Sequence, residues 1–225
     1  MICYCCGSTR IKAQSVLWKE LIDEWRISNY EADYINKQQG LHCADCNSNL
    51  RSMALAFSIM RCFSYEGYFN RFVKDKKYRK LKILEINEAG NLTQFLSHLT
   101  GHILAQYPNV DMMDLKFDDE TFDLVLHSDV LEHVLQPVKG LSECRRVLKP
   151  RSVCAFTVPI IVDRLTIRRD GLPSSYHGSS DNKFGFLVHT EYGSDAWQQI
   201  IQAGFDECRI FSIDYPAAQA LAAIK

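Results

Sequence analysis

Two pairs of cysteines carry the first recognisable chemistry in this chain: Cys3-Tyr-Cys-Cys6 and Cys43-Ala-Asp-Cys46. A Cys-x-x-Cys turn can aim two thiolates at one metal, and two such turns complete a tetrahedral site. Gly7 follows the first pair, where a left-handed backbone is often needed. Asn47-Ser48-Asn49 follows the second, with good turn and cap residues. The spacing predicts a Zn²⁺ held by Cys3, Cys6, Cys43 and Cys46, with Cys5 as a spare thiol that could exchange with Cys3. Four thiolates leave no open coordination position, so the predicted metal is structural rather than catalytic. The bland alternative is a set of free thiols. A redox pair is disfavoured, because neither knuckle sits in a thioredoxin-like strand–helix pattern.

A second cluster of polar residues, Ser128, Asp129, Glu132 and His133, falls inside Phe122 to Pro150, FDLVLHSDVLEHVLQPVKGLSECRRVLKP. Phe122, Leu124, Val125 and Leu126 predict a buried strand of a parallel sheet. It gives out at His127-Ser128-Asp129. Leu141, Cys144, Val147 and Leu148 then follow at helical spacing, ending by Pro150. Strand, polar turn and helix make a βα unit, and ligands of such sheets sit at the carboxyl ends of the strands. Ile83-Leu-Glu-Ile86, Ile103-Leu-Ala-Gln106 and Val153 to Val158 predict further strands. Leu92, Phe95, Leu96 and Leu99 predict a helix, as does Asp195 to Gly204. Cys208 to Ile213 and Ala220 to Ile224 predict two closing strands. The expected fold class is α/β, with a doubly wound, mostly parallel sheet.

The run DVLEHVLQP followed by RRVLKP resembles the stretch after the fourth strand of class I S-adenosylmethionine-dependent methyltransferases, the type 11 methyltransferase domain. The resemblance covers roughly Leu81 to Lys225. It implies S-adenosylmethionine as cofactor, with contacts from Glu85, Asn87, Gly90, Gln106, Asp111, Met112, Ser128 and Asp129. The first βα turn departs from the family's glycine-rich pattern and reads Glu85-Ile-Asn87-Glu-Ala89-Gly90-Asn91. Gln106 stands where an acid usually meets the ribose hydroxyls. Asp111-Met112-Met-Asp114-Leu115-Lys-Phe117 is similar to the family's adenine motif, but it follows the second strand within a few residues. That predicts an abbreviated second βα unit.

The stretch 160–191 is rich in Gly, Ser and Asp and resembles an insert found in a subgroup of that family. It predicts a lid or substrate loop. In such a reaction a substrate oxygen or nitrogen attacks the sulfonium methyl, and His133, His177 and His189 are the candidate bases. The resemblance to zinc-knuckle methyltransferases implies a small-molecule or glycan-like acceptor. Two other readings stand beside it: a degenerate fold acting as a binding or scaffold protein, and an RNA methyltransferase using the basic run Arg71 to Lys82.

The chain's 225 residues suffice for one α/β domain and a small appendage. The expected division is a zinc-knuckle module over 1–50, a helical connector over 51–80 and a methyltransferase-like domain over 81–225. Val16, Leu17, Leu21, Ile22 and Trp25 predict an apolar helical stripe between the knuckles. A net charge of −1 argues against broad binding to nucleic acid or to an anionic membrane. No apolar run reaches transmembrane length. No secretory signal is expected from MICYCCGSTR, and nine cysteines, five in the first 46 residues and the rest scattered, suit a reducing compartment, so a cytoplasmic location is expected.

Overall fold

The computed structural model describes residues 1–176 and 186–225. The cysteine pairs frame the first unit, where Ile11–Lys12 (β1) pairs antiparallel with His42–Cys43 (β2) and sets the knuckles side by side. Between them run Lys19–Glu24 (α1) and Asn29–Gly40 (α2). Ser28 caps α2 through a reciprocal box with Glu31, which satisfies two orphan amides. The predicted stripe is helical only over Lys19–Glu24, and Val16 and Leu17 precede the helix while Trp25 ends it.

Leu50–Cys62 (α3) starts where the sequence predicts, with Asn49 Oδ1 accepting from Ser52 N at 2.8 Å. It is buried almost throughout because it lies on the main sheet, in one core with residues of the knuckles. The stretch 51–80 thus packs as part of the sheet's cover. Phe69–Phe72 (α4) follows. Phe72 and Tyr78 in the basic run are buried, so their rings are not displayed for stacking on bases.

The main sheet is built from Ile83–Ile86 (β3), His102–Ala105 (β4), Phe122–Ser128 (β5) and Leu148–Thr157 (β6). Thr93–Leu96 (α5) and Pro137–Val147 (α6) connect them. Two short pieces, Ile160–Ile161 (β7) and Ile167–Arg168 (β8), join Thr190–Gly193 (β9) in a small separate sheet. Gln198–Gln202 (α7) then leads into the hairpin of Glu207–Asp214 (β10) and Ala218–Ile224 (β11). The main sheet runs β10-β11-β6-β5-β3-β4, with the last four strands parallel and the hairpin antiparallel.

Strand alternation splits the core between the two faces. Ile83, Leu124 and Leu126 meet α3, while Leu84, Ile86 and Val125 meet α6 and α7. This is the expected doubly wound, mostly parallel arrangement. No helix or strand occupies 106–121, so the second βα unit is abbreviated as the sequence predicts. Among the described residues, no helix is long and apolar enough to cross a membrane.

Of the local boundaries that differ from the sequence reading, two fall in the unit that starts at Phe122. His127 and Ser128 belong to β5, because Phe156 and Thr157 of β6 pair with them. Helix α6 stops at Val147 and the chain is already extended at Leu148, where it pairs with Phe122 of β5.

Candidate functional site

The four predicted metal ligands converge. Their sulfur atoms lie within 4.8 Å of one another, with Cys3–Cys46 and Cys6–Cys43 each 3.6 Å apart. Sulfurs ~2.3 Å from a common zinc would stand ~3.8 Å apart, so this donor set fits one tetrahedral ion. Cys5 is turned away, and its Sγ donates to the Ser52 carbonyl. Gly7 adopts φ +87° as its position after the knuckle requires.

At the end of β3 the turn is tied from behind. Glu85 is fully buried, and its Oε1 accepts from Ala89 N at 2.8 Å and from Thr93 Oγ1 at 2.6 Å. Its Oε2 lies 2.6 Å from His102 Nε2 on the neighbouring strand. Asn87 is left-handed at φ +53°, and its Oδ1 accepts from Tyr107 N at 2.9 Å. That bond joins the carboxyl ends of β3 and β4. Gly90 (φ +56°) faces Ser52 of α3 so closely that a Cβ there would stand 2.6 Å from the hydroxyl.

Two cavities open at this edge of the sheet. One, of about 410 Å³, is lined by Ile86, Asn87, Asp111, Met112, Val134 and His189, among others. Asp111 spends Oδ1 on Met113 N at 2.8 Å, which leaves its second oxygen available. A carboxylate oxygen beside apolar walls suits a flat base carrying an amino group. The other cavity, of about 270 Å³, lies between the N-terminal insert and the sheet. Leu17, Leu21, Trp25 and Ile27 form its outer wall, and Arg51, Asp129 and Glu132 contribute the charge. The two cavities share Asp129, His133 and Phe186.

The shared residues are held firmly. Asp129 is left-handed at φ +54° and forms an ion pair with Arg51. Burial pulls the Arg51 guanidinium down to about 10, against the favourable charge of Glu132; it stays cationic at neutral pH. His133 Nδ1 meets the Leu187 carbonyl at 3.0 Å, which makes this nitrogen the donor. In the neutral ring Nε2 is therefore the basic nitrogen, 3.8 Å from Glu132 Oε1. His189 has its pKa lowered by burial and by the nearby Arg168 charge.

Of the predicted cofactor contacts, Asn87, Asp111, Met112 and Asp129 line the larger cavity. Glu85, Gly90, Gln106 and Ser128 do not. Glu85 and Gly90 shape the turn, Gln106 is exposed, and Ser128 bonds Thr157 Oγ1 at 2.8 Å. Among the predicted bases, His133 lines both cavities and His189 the larger one, while His177 lies outside the described residues. Arg51 and Trp25 take part without having been singled out for it. An arginine at the head of the apolar run of α3 was the available signal.

Residues 77–156 match the family model for the type 11 methyltransferase domain. The chain is 42% identical over 64 residues to a demethylmenaquinone methyltransferase of Clavibacter sepedonicus, a match spanning 27% of this chain and 26% of that protein. It is 46% identical over 44 residues to a ubiquinone biosynthesis O-methyltransferase of Cereibacter sphaeroides, spanning 20% and 18%. The chain thus spans about a quarter or less of the curated relatives it matches. Among solved structures, the S-adenosylmethionine-dependent methyltransferase of Mesorhizobium loti is similar with a TM-score of 0.41 and 12% identity, over 64% of this chain and 91% of that one. The chain therefore carries a methyltransferase domain over residues 77–156, and its homologues are S-adenosylmethionine-dependent methyltransferases.

Proposed function

We propose that this chain transfers a methyl group from S-adenosylmethionine to an oxygen or nitrogen of a small-molecule or glycan-like acceptor. The observation that carries the reading is the pair of adjoining cavities that meet at Asp129 and His133. The larger suits the cofactor and the smaller the acceptor. When bound, the cofactor supplies an activated methyl on a sulfonium. The chain has then to orient the acceptor, exclude water and remove one proton.

Asn87 and Asp111 bind the cofactor's polar edges, and Met112, Val110 and Val134 enclose its base. Asp129, at the junction, places the two reactants in line. His133 Nε2 takes, through the Glu132 carboxylate 3.8 Å away, the proton that the acceptor atom loses as it bonds to the methyl carbon. The cysteine cluster binds one structural Zn²⁺.

Titration calorimetry tests the reading directly. Zinc-replete protein is expected to bind S-adenosylmethionine and S-adenosylhomocysteine with micromolar affinity, and Asp111→Ala to weaken both by about tenfold or more. No binding of either compound up to about 1 mM overturns the proposal in favour of a scaffold role.

A further inference from the structure

The smaller cavity is specific in its chemistry as well as its place. Its walls are apolar, built from Leu17, Leu21, Trp25, Ile27, Ile160 and Phe186. Its volume of about 270 Å³ is just under the ~300–1,000 Å³ of ordinary small-molecule sites, which limits it to a compact occupant. Three charged side chains stand in this lining, and two of them, Glu132 and Arg51, are each only 2% exposed. Arg51 directs its ion pair to Asp129 and gives Gln38 Oε1 a bond of 3.2 Å. Yet Arg51 Nε and Glu132 Oε2 have no hydrogen-bond partner among the described residues. Buried polar atoms are rarely left so, because each forfeits its hydration. One orphan is a donor and the other an acceptor, and both residues line the same cavity.

We infer that this cavity takes a compact, mostly apolar acceptor bearing a single hydroxyl, which donates to Glu132 Oε2 and accepts from Arg51 Nε. The inference rests on the methyl-transfer reading above and narrows its acceptor. The inventory of polar groups separates the alternatives. A hydroxyl both donates and accepts, so it completes both orphans. An ammonium group donates only, and an aniline amino group accepts poorly because its lone pair is delocalised into the ring, so either leaves Arg51 Nε unmet. A carboxylate accepts only and meets the negative charges of Asp129 and Glu132. A glycan brings more hydroxyls than the few polar side chains of the lining, among them Gln38, Gln39, Asp129 and His133, can serve, at the cost of burying the rest unpaired.

The test is calorimetric, on full-length, zinc-replete protein with and without S-adenosylhomocysteine. The probes are para-ethylphenol, para-ethylaniline, ethylbenzene and maltotriose, each up to about 1 mM. The phenol is expected to bind about tenfold more tightly than ethylbenzene or the aniline, the worth of a hydrogen bond to a charged group, and maltotriose not to register. Glu132→Gln is expected to erase the preference for the phenol while leaving S-adenosylhomocysteine affinity within about twofold, as Glu132 does not line the cofactor cavity. Equal affinity for phenol and hydrocarbon, tighter binding of the aniline or maltotriose, or no binding of any probe would each overturn the inference. The wild-type comparison decides even if the variant fails to fold. Failure of the methyl-transfer reading registers separately, as absence of S-adenosylhomocysteine binding alongside an intact phenol preference.

Discussion

A single buried cation governs the chemistry of this site. Arg51 is enclosed on α3, and two carboxylates, Asp129 and Glu132, feel its charge. Desolvating a guanidinium is costly, so its burial in α3 needs a partner and a purpose. Arg51→Ala should destabilise the protein by about 3 kcal/mol, near the low end for a broken buried pair because Asp129 is 42% exposed. Urea unfolding with an unchanged m-value would register it. Arg51→Lys should recover only part, since a point charge cannot serve Asp129, Gln38 and the cavity together. If Arg51→Ala unfolded at the wild-type urea midpoint, the ion pair would carry no structural weight. At this scale the sequence was partly legible. Asn87 and Asp129 could be placed because they follow strand ends, where topology confines them, and Asp111, Met112 and His133 because their runs resemble family motifs. The partnership of Arg51 with Asp129 could not, because no local pattern encodes a contact between elements so far apart in the chain.

Among the elements, the turn after β3 shows how an unusual sequence keeps a familiar shape. Asn87 takes the left-handed position, and the buried Glu85 carboxylate ties Ala89 and Thr93 into place. Gly90 alone retains a glycine's role. Gly90→Ala should cost about 1–2 kcal/mol, from the left-handed backbone and from the contact with Ser52. Ser52→Ala in the same protein should return the steric part and not the backbone part, a coupling readable in a double-mutant cycle of thermal unfolding. Simple additivity would mean that α3 does not press on the turn.

The N-terminal insert is fastened in a different way. Arg164 reaches Glu31 with bonds of 2.7 and 2.9 Å and Trp25 O at 2.8 Å, and Trp25 Nε1 donates to Ser175 Oγ at 2.9 Å. The hydrogen bonds from Arg164 hold the Glu31 pKa below the ordinary carboxylate range. Its contribution is therefore present above that range and lost as pH falls through it toward the lowered folded value. Thermal melts should show the wild type losing stability across that interval and Glu31→Gln losing less. Parallel acid limbs would remove the clamp from the account. The strands and α3 were legible here because continuous apolar runs and a cap residue announce them. The insert's seat against 160–175 was not, since side-chain bonds between two irregular segments leave no periodic trace.

For the molecule as a whole, the knuckles and the cofactor turn are one mechanical unit. Gln94 Nε2 donates to the Cys46 carbonyl at 3.0 Å, and Asn91 Nδ2 donates to the Asn47 carbonyl. Asn49, directly after the second knuckle, caps the helix that carries Ser52 against Gly90 and Arg51 against Asp129. The knuckle backbone thus braces a turn that lacks most of the glycines its shape usually calls for. A metal that fixes Cys43 and Cys46 would then also fix the geometry at Asn87. Purified protein should hold about one zinc per chain, and Cys43→Ser should lose it together with much of the thermal stability. Gln94→Ala combined with Asn91→Ala separates bracing from folding, because it cuts the two bonds and spares the ligands. That double variant should keep its zinc and most of its thermal stability while binding S-adenosylhomocysteine about tenfold more weakly, the worth of two ordinary hydrogen bonds. Unchanged affinity at full zinc content would mean the knuckles stabilise the fold without reaching the cofactor, and the turn would owe its shape to Glu85 and Asn87 alone.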